Sequence, residues 1–384
     1  MNTEKLFSTI DSLEEEYLAF LKDVCDIESP TDYKIGVDKV GQYFINKAKQ
    51  KGWHVEVQKQ EVSGDCICIT MNPDATLPAV CFSGHMDTVH PLGSFGDEPT
   101  RIDGDIMYGP GVLDDKGGLV AGFMAMDALE RCGFTDRPIK LILQSDEENG
   151  SRFSNKTTVQ FMGEKAKGCV AFLNAENYIN GTLMVSTKGI RKYQYEITGK
   201  SVHSCACYYG KSAILEASHK IIELEKFKDG NSITCNCGLI SGGVAENTVP
   251  NKCVFTADFR FKNNEQGKMV EQIAKEIADK SFVEGTTCTL TLKSWRYCME
   301  KSERNLQLFD KINSIYKSCG IPEVKQLESL GASDAADMST MGIPCLDGFG
   351  TQGDKLHTKD EYIYVKSLRE SAKRMASVAY LIKD

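Results

Sequence analysis

The sequence predicts an α/β protein, with a main domain built on a mostly parallel mixed sheet flanked by helices and a smaller α+β domain inserted into it. Three observations carry that expectation. Helical stretches alternate with short buried strands through the first half of the chain, the pattern switches to period-two strands between about residue 188 and residue 295, and the first pattern then resumes to the end. At 384 residues the chain also exceeds what a single hydrophobic core usually supports.

In the main domain, the opening MNTEKLFSTIDSLEEEYLAFLKDVCDIESP breaks its apolar residues with acids at helical spacing. A second helix runs through VDKVGQYFINKAKQKG and ends at Gly52, a glycine suited to the left-handed position after a helix. WHVEVQKQ and DCICITM alternate as half-buried strands do, and PAVCFSGH reads as a short buried strand. GGLVAGFMAMDALERCG is helical up to Gly133, while IKLILQSDEE and KGCVAFLNAE are strands that run into acids. Polar residues at the carboxyl ends of such strands are where open α/β sheets form their sites.

The inserted segment reads RKYQYEITGK (strand), SAILEASHKIIELEKF (helix), ITCNCGLISGG and KCVFTADFRFK (strands), KMVEQIAKEIADK (helix) and TTCTLTLKSW (strand). That β-α-β-β-α-β order is ferredoxin-like. The expected division is 1–187 and 297–384 for the main domain and 188–296 for the insertion, with helix and strand alternation resuming at NLQLFDKINSIYKSCG.

Composition narrows the function classes. Forty-five basic against 54 acidic residues give a net charge of −9, and no Lys/Arg block could track a phosphate backbone, so neither nucleic acid nor an anionic membrane is expected as a partner. No apolar run approaches the roughly 20 residues that span a bilayer, and no export signal is expected at the start. The 15 cysteines then read as reduced thiols in a cytoplasmic protein. Three C-x-C pairs occur, Cys66/Cys68, Cys205/Cys207 and Cys235/Cys237. Without an accompanying C-x-x-C, the first and last are read as strand neighbours packing on one face rather than as a soft-metal or redox site.

Chemistry-bearing residues gather at predicted strand ends. SGHMDTV sets His85 and Asp87 two apart, so both side chains face one way, and a carboxylate there can orient a metal-bound imidazole. In YGPGVLDDKGG, glycines at 109, 111, 117 and 118 surround Asp114, Asp115 and Lys116. A phosphate loop is excluded because Lys116 is followed by two glycines rather than Ser or Thr. QSDEENGS crowds Asp146, Glu147 and Glu148, FLNAEN supplies Glu176, and HTKDEYI supplies His357. Two imidazoles and three carboxylates suit two zinc ions bridged by one carboxylate.

Together SGHMDTV, YGPGVLDDKGG, SDEENGS, FLNAEN, GKSVHS, ENTVPN, TADFR, GASDAADM and HTKDEYI, in that order, resemble the M20 metallopeptidase family, especially its glutamate carboxypeptidase and aminoacylase branch. The resemblance covers nearly the whole chain. It implies that Asp114 bridges two Zn2+ ions, for which Co2+ or Mn2+ can substitute. Glu176 and His85 would complete one metal, and Glu148 and His357 the other. Asp87 would support the centre and Glu147 would be the general base, acting on a hydroxide held between the metals. A cis peptide between Asp114 and Asp115 is implied as well. The inserted domain becomes a lid that forms a homodimer, with His203 stabilising the oxyanion at the neighbouring subunit's metals, Asn247 and Arg260 holding substrate, and Gly331, Ala332 and Ser333 lying along it. The function implied is hydrolysis of an amide bond next to a free α-carboxylate, in a dipeptide, a C-terminal residue or an N-acyl amino acid. Two rival readings are a non-catalytic binding protein on the same fold and a thiol-based redox or metal-storage protein.

Overall fold

The computed structural model describes residues 2–230 and 232–383. The chain divides into two compact units: residues 1–186, 301–329 and 333–384 form the first, and 187–300 with 330–332 the second.

The first unit is built on an eight-stranded mixed sheet. Its centre is parallel: Val80–His85 lies between Ile139–Gln144 and Ala171–Asn174, and Cys345–Asp347 runs parallel to the latter. The flanks turn antiparallel, with His54–Gln58 and Cys66–Met71 on one side and Thr182–Thr187 on the other. The mostly parallel character is therefore confined to the middle of the sheet. Val80–His85 in that middle and Cys66–Met71 on the flank are both buried along their whole length, as strands covered on both faces must be.

Lys116–Arg131 is the central helix of this unit. Its residues from Lys116 to Leu129 are all buried, which is why the sequence there carries Leu, Val, Ala, Phe and Met on every face. An aromatic group of Tyr17, Phe20, Phe44 and Phe123 packs around it, with Phe20 and Phe123 edge to face at 5.6 Å. The opening segment forms two helices, Thr3–Ser12 and Glu14–Cys25, hinged at Leu13. Lys34–Gln50, expected as the second helix, is therefore the third, and Gly52 takes φ +74° just beyond it.

A small antiparallel sheet joins Arg101–Asp103 and Ile106–Tyr108 to Tyr362–Tyr364 and Gly353–Asp354. Its strands have two or three residues, too short to leave a period in the sequence.

The second unit carries a four-stranded antiparallel sheet in the order Thr234–Gly242, Lys252–Phe261, Gly189–Thr198, Thr287–Arg296. With helices Ala213–Glu225 and Asn264–Asp279, the chain order is the expected β-α-β-β-α-β. Its own core includes Tyr195 and Phe255, stacked at 4.6 Å.

Among the described residues no helix is long and apolar enough to cross a membrane. All 15 cysteines are free thiols.

Candidate metal centre

The centre is assembled at the carboxyl ends of the parallel strands of the first unit. His85 closes Val80–His85 and is in register with Gln144, the last residue of the neighbouring strand, so the turn carrying Asp146, Glu147 and Glu148 starts beside it. On the other side Ser83 pairs with Asn174, and the Ala175 N–H donates to the Ser83 carbonyl at 2.7 Å, which delivers Glu176 to the same rim.

Asp87 ties these pieces together. Its fully buried carboxylate accepts the Glu147 N–H on Oδ1 and the Glu148 N–H on Oδ2, both at 3.1 Å, and the Thr31 hydroxyl at 2.8 Å. His85 Nδ1 lies 2.9 Å from the Asp87 carbonyl and 3.4 Å from its Oδ1. A ring nitrogen facing a carbonyl must donate, which turns Nε2 toward the centre.

Asp114 arrives on the turn before the central helix. Gly111, at φ +78°, lets the chain double back, and a Cβ on Gly118 would lie 2.3 Å from the Ala175 carbonyl and 2.2 Å from Asp115 Oδ1. The Asp114–Asp115 peptide is cis. Lys116 is fully buried and donates to the carbonyls of Val24 at 3.1 Å and Ile27 at 2.8 Å, so it anchors the loop rather than facing a phosphate. The two aspartates are pushed in opposite directions. Burial pushes Asp115 well above the carboxylate range, whereas Asp114, though also buried, is held below it by hydrogen bonds from His357 and His85.

Both oxygens of Asp114 are used. His85 Nε2 is 2.9 Å from Oδ1, and His357 Nε2 is 3.0 Å from Oδ2. Glu176 stands 3.9 Å from His85 Nε2, and Glu148 is 3.5 Å from His357 Nε2. Two donor groups result, His85–Asp114–Glu176 and Asp114–Glu148–His357, each with ligand atoms within 4.8 Å of one another and with Asp114 common to both. These are the five residues the sequence analysis grouped.

The electrostatics of the five match a place for cations. Burial and then the charge of Asp114 push Glu148 up to about 10 and raise Glu176 well above the carboxylate range. Burial works against charge on His85, yet the carboxylates of Asp114 and Asp87 raise it well above its ordinary value. The cluster thus retains protons where a divalent ion would replace them. Imidazole and carboxylate donors at this spacing fit zinc, and cobalt or manganese as well.

The remaining predicted residues are distributed as follows. His203, Asn247 and Arg260 lie in the second unit. The first two are brought side by side: the Ser204 N–H donates to the Asn247 carbonyl at 2.9 Å, and His203 forms a bridge with Thr248. His203 Nδ1 accepts the Cys205 N–H at 3.3 Å, which leaves Nε2 as the protonated, donating nitrogen. Arg260, on Lys252–Phe261, makes a two-pronged pair with Asp258 at 2.8 and 3.3 Å. Gly331 accepts the Lys188 N–H at 3.1 Å, and Ala332 follows it in the second unit. Ser333 is buried in the first unit, its hydroxyl donating to Asp347.

Sequence reasoning did not single out Glu361. Its buried carboxylate accepts the N–H groups of Leu113 at 2.9 Å and Asp114 at 3.1 Å and faces His90 Nε2 at 3.1 Å. It lies inside HTKDEYI, but nothing in that string says that it reaches back to the aspartate loop. Thr31 was also missed, since a lone threonine carries no pattern.

Over 387 aligned residues, the chain is 27% identical to carboxypeptidase G2 of Pseudomonas sp. (strain RS-16), covering 99% of this chain and 91% of that one. It is 24% identical to a succinyl-diaminopimelate desuccinylase of Stutzerimonas stutzeri, covering 76% of this chain and 79% of the relative. Among solved structures, a tripeptidase from Staphylococcus aureus superposes with a TM-score of 0.77 at 21% identity, over 95% of this chain and 97% of that one. An M20 family metallo-carboxypeptidase from Sulfolobus solfataricus gives 0.75 at 15% identity, over 94% and 98%. The sequence profile of peptidase family M20/M25/M40 matches residues 81–381, a span that holds all five candidate metal ligands, and the chain belongs to that family of metallopeptidases and amidohydrolases.

Proposed function

We propose that the protein is a di-zinc amidohydrolase that cleaves an amide bond next to a free α-carboxylate, in a dipeptide, a C-terminal residue or an N-acyl amino acid. The observation that carries this reading is Asp114, whose two oxygens serve two separate imidazole and carboxylate groups. His85 and Glu176 would hold one ion, Glu148 and His357 the other, and Asp114 both. When bound, the pair of ions supplies positive charge to the scissile carbonyl and makes water acidic enough to attack near neutral pH.

The chain's own groups do the rest. Glu147 takes the proton of the attacking water and hands it to the departing amine. Its place is set through the backbone, because Asp87 holds the Glu147 N–H with the same carboxylate that faces His85. His203 donates from Nε2 to the oxygen that gains charge in the transition state, the tautomer imposed by the Cys205 N–H. Arg260 takes the substrate α-carboxylate in exchange for Asp258, a carboxylate already held in the same two-pronged geometry. Asn247 and the segment Gly331, Ala332 and Ser333 complete the substrate contacts. The second unit serves as a lid and as the homodimer contact. The free thiols suit a cytoplasmic setting.

Glutamate rather than aspartate at position 176 resembles the carboxypeptidase and deacylase members of the family more than its aminopeptidases, and the carboxypeptidase and desuccinylase relatives support the same type. A screen of dipeptides and N-acyl amino acids with zinc, cobalt or manganese tests the reading. Hydrolysis that a chelator abolishes, and that C-terminal amidation of the substrate prevents, is expected. Metal-loaded protein that cleaves none of these, or that cleaves equally well in chelator, would sink it.

A further inference from the structure

Among the described residues three clusters of side chains come close enough to hold a metal ion, and only two of them share Asp114. The third lies wholly in the second unit and consists of Glu225, Cys235 and Cys237. It belongs to a C-x-C pair that the sequence alone reads as ordinary strand packing.

Residues two apart in a regular strand stand roughly 7 Å from one another. Here the strand is not regular. Asn236 pairs with Asp258 and Leu239 with Thr256, so Cys237 and Gly238 together face Ala257, and the strand bulges at Cys237. The Cys237 N–H, released from the ladder, donates at 2.9 Å to Glu225 Oε1, on the last residue of helix Ala213–Glu225. The bulge thereby draws the two thiols and the carboxylate into a group whose ligand atoms all lie within 4.8 Å of one another. In a tetrahedral zinc site with sulfur bonds of about 2.3 Å, neighbouring sulfurs are about 3.8 Å apart, so the two thiols need to close by about 1 Å at most.

The group is reachable. Cys235 is buried, but Cys237 and Glu225 are partly exposed. The outer oxygen of Glu225 pairs with Lys228 at 2.5 Å, and the Lys228 side chain is 55% exposed, free to swing aside as a cation arrives. The comparison pair Cys66 and Cys68 lacks these features. There, Cys66 donates to the Leu143 carbonyl at 3.3 Å, Cys68 lies 3.8 Å from the Thr70 hydroxyl, and both sit on a strand buried throughout.

We infer that Glu225, Cys235 and Cys237 form a binding site for one thiophilic divalent cation, zinc or a softer ion, with water completing the coordination. Each thiol gives its proton to solvent as its sulfur binds. The donors are two sulfurs and one oxygen, whereas the Asp114 centre offers only nitrogen and oxygen.

That difference supplies the test. Cadmium is added to the zinc-loaded, full-length protein, and the ultraviolet sulfur-to-cadmium charge-transfer band is followed. Cadmium entering the Asp114 centre is silent in this band. A band that saturates at one equivalent, persists in Cys205→Ser/Cys207→Ser and disappears in Cys235→Ser/Cys237→Ser is expected, with the zinc-supported hydrolytic rate unchanged in the latter. Glu225→Gln, which keeps an acceptor for the Cys237 N–H, should retain the band while weakening cadmium binding about 10-fold, the lower end of what perturbing a metal site's surroundings costs. No band in the parent protein, or a band of full strength in folded Cys235→Ser/Cys237→Ser, overturns the inference. Should that double variant fail to fold, unchanged cadmium affinity in Glu225→Gln overturns it instead.

Discussion

Glu361 accepts the backbone N–H of Asp114 at 3.1 Å across 247 positions of chain. The carboxylate that presents both oxygens to the candidate metals is thus itself positioned by a second carboxylate with no place in the ligand set. Glu361→Ala would leave the buried Leu113 and Asp114 N–H groups without this acceptor, at about 1–3 kcal/mol for each donor left unsatisfied. Denaturant unfolding should show that loss, and metal affinity should fall about 10- to 100-fold. Unaltered affinity in a folded variant would mean that Glu361 does not position Asp114.

Glu147→Gln should reduce turnover about 100- to 10,000-fold, the range of general base catalysis, while both metals stay bound. Steady-state rates together with metal content per chain check both halves. Near-normal turnover would remove Glu147 from its assigned role.

Removing metal should destabilise the protein and make it respond to pH. Glu148 is raised from 4.5 to about 10 without a cation, so between those values the folded state binds a proton that the unfolded state has lost. Metal-free stability should therefore fall as pH rises through that window, and zinc should flatten the slope. Zinc at about 100 times its dissociation constant should add about 2.7 kcal/mol for each ion bound. Calorimetry in two buffers of different ionisation enthalpy should also register proton release on zinc binding; zero release would contradict this account.

A group outside the centre, Asp127, contributes to the acid limb. Burial alone would raise Asp127, but hydrogen bonds from Arg131, Lys51 and Tyr17 hold it below 3.8. The sign is the usual one for a depressed carboxylate: its stabilisation is present above the ordinary value and is lost as pH falls through the folded one. Asp127→Asn should lower stability at neutral pH and make its decline below about pH 4 shallower. Parallel acid limbs in the two proteins would argue against it.

Four of the five candidate ligands were legible because they sit at or just past a strand end or in a glycine-bracketed turn, as with His85 in SGHMDTV and Asp114 in YGPGVLDDKGG, whereas His357, in a loop, was legible only through the resemblance of HTKDEYI. Three of the four central strands, Val80–His85, Ile139–Gln144 and Ala171–Asn174, were legible as short apolar runs and the split βαββαβ unit from periodicity, whereas the three-residue Cys345–Asp347 was not read. What stayed hidden depends on long-range contact. Glu361 acts through backbone amides far away in sequence, and Tyr362–Tyr364 pairs with Ile106–Tyr108 over too few residues to show a period. Cys235 and Cys237 obey the alternation of a strand, so only the bulge at Cys237 separates them from a packed pair.

Zinc-edge anomalous diffraction from a crystal grown in zinc addresses the shared role of Asp114 most directly. The account predicts two peaks, one among His85, Asp114 and Glu176 and the other among Asp114, Glu148 and His357, each within bonding distance of one Asp114 oxygen. A map with no peak touching Asp114, or with a single ion held by all five residues at once, would contradict it.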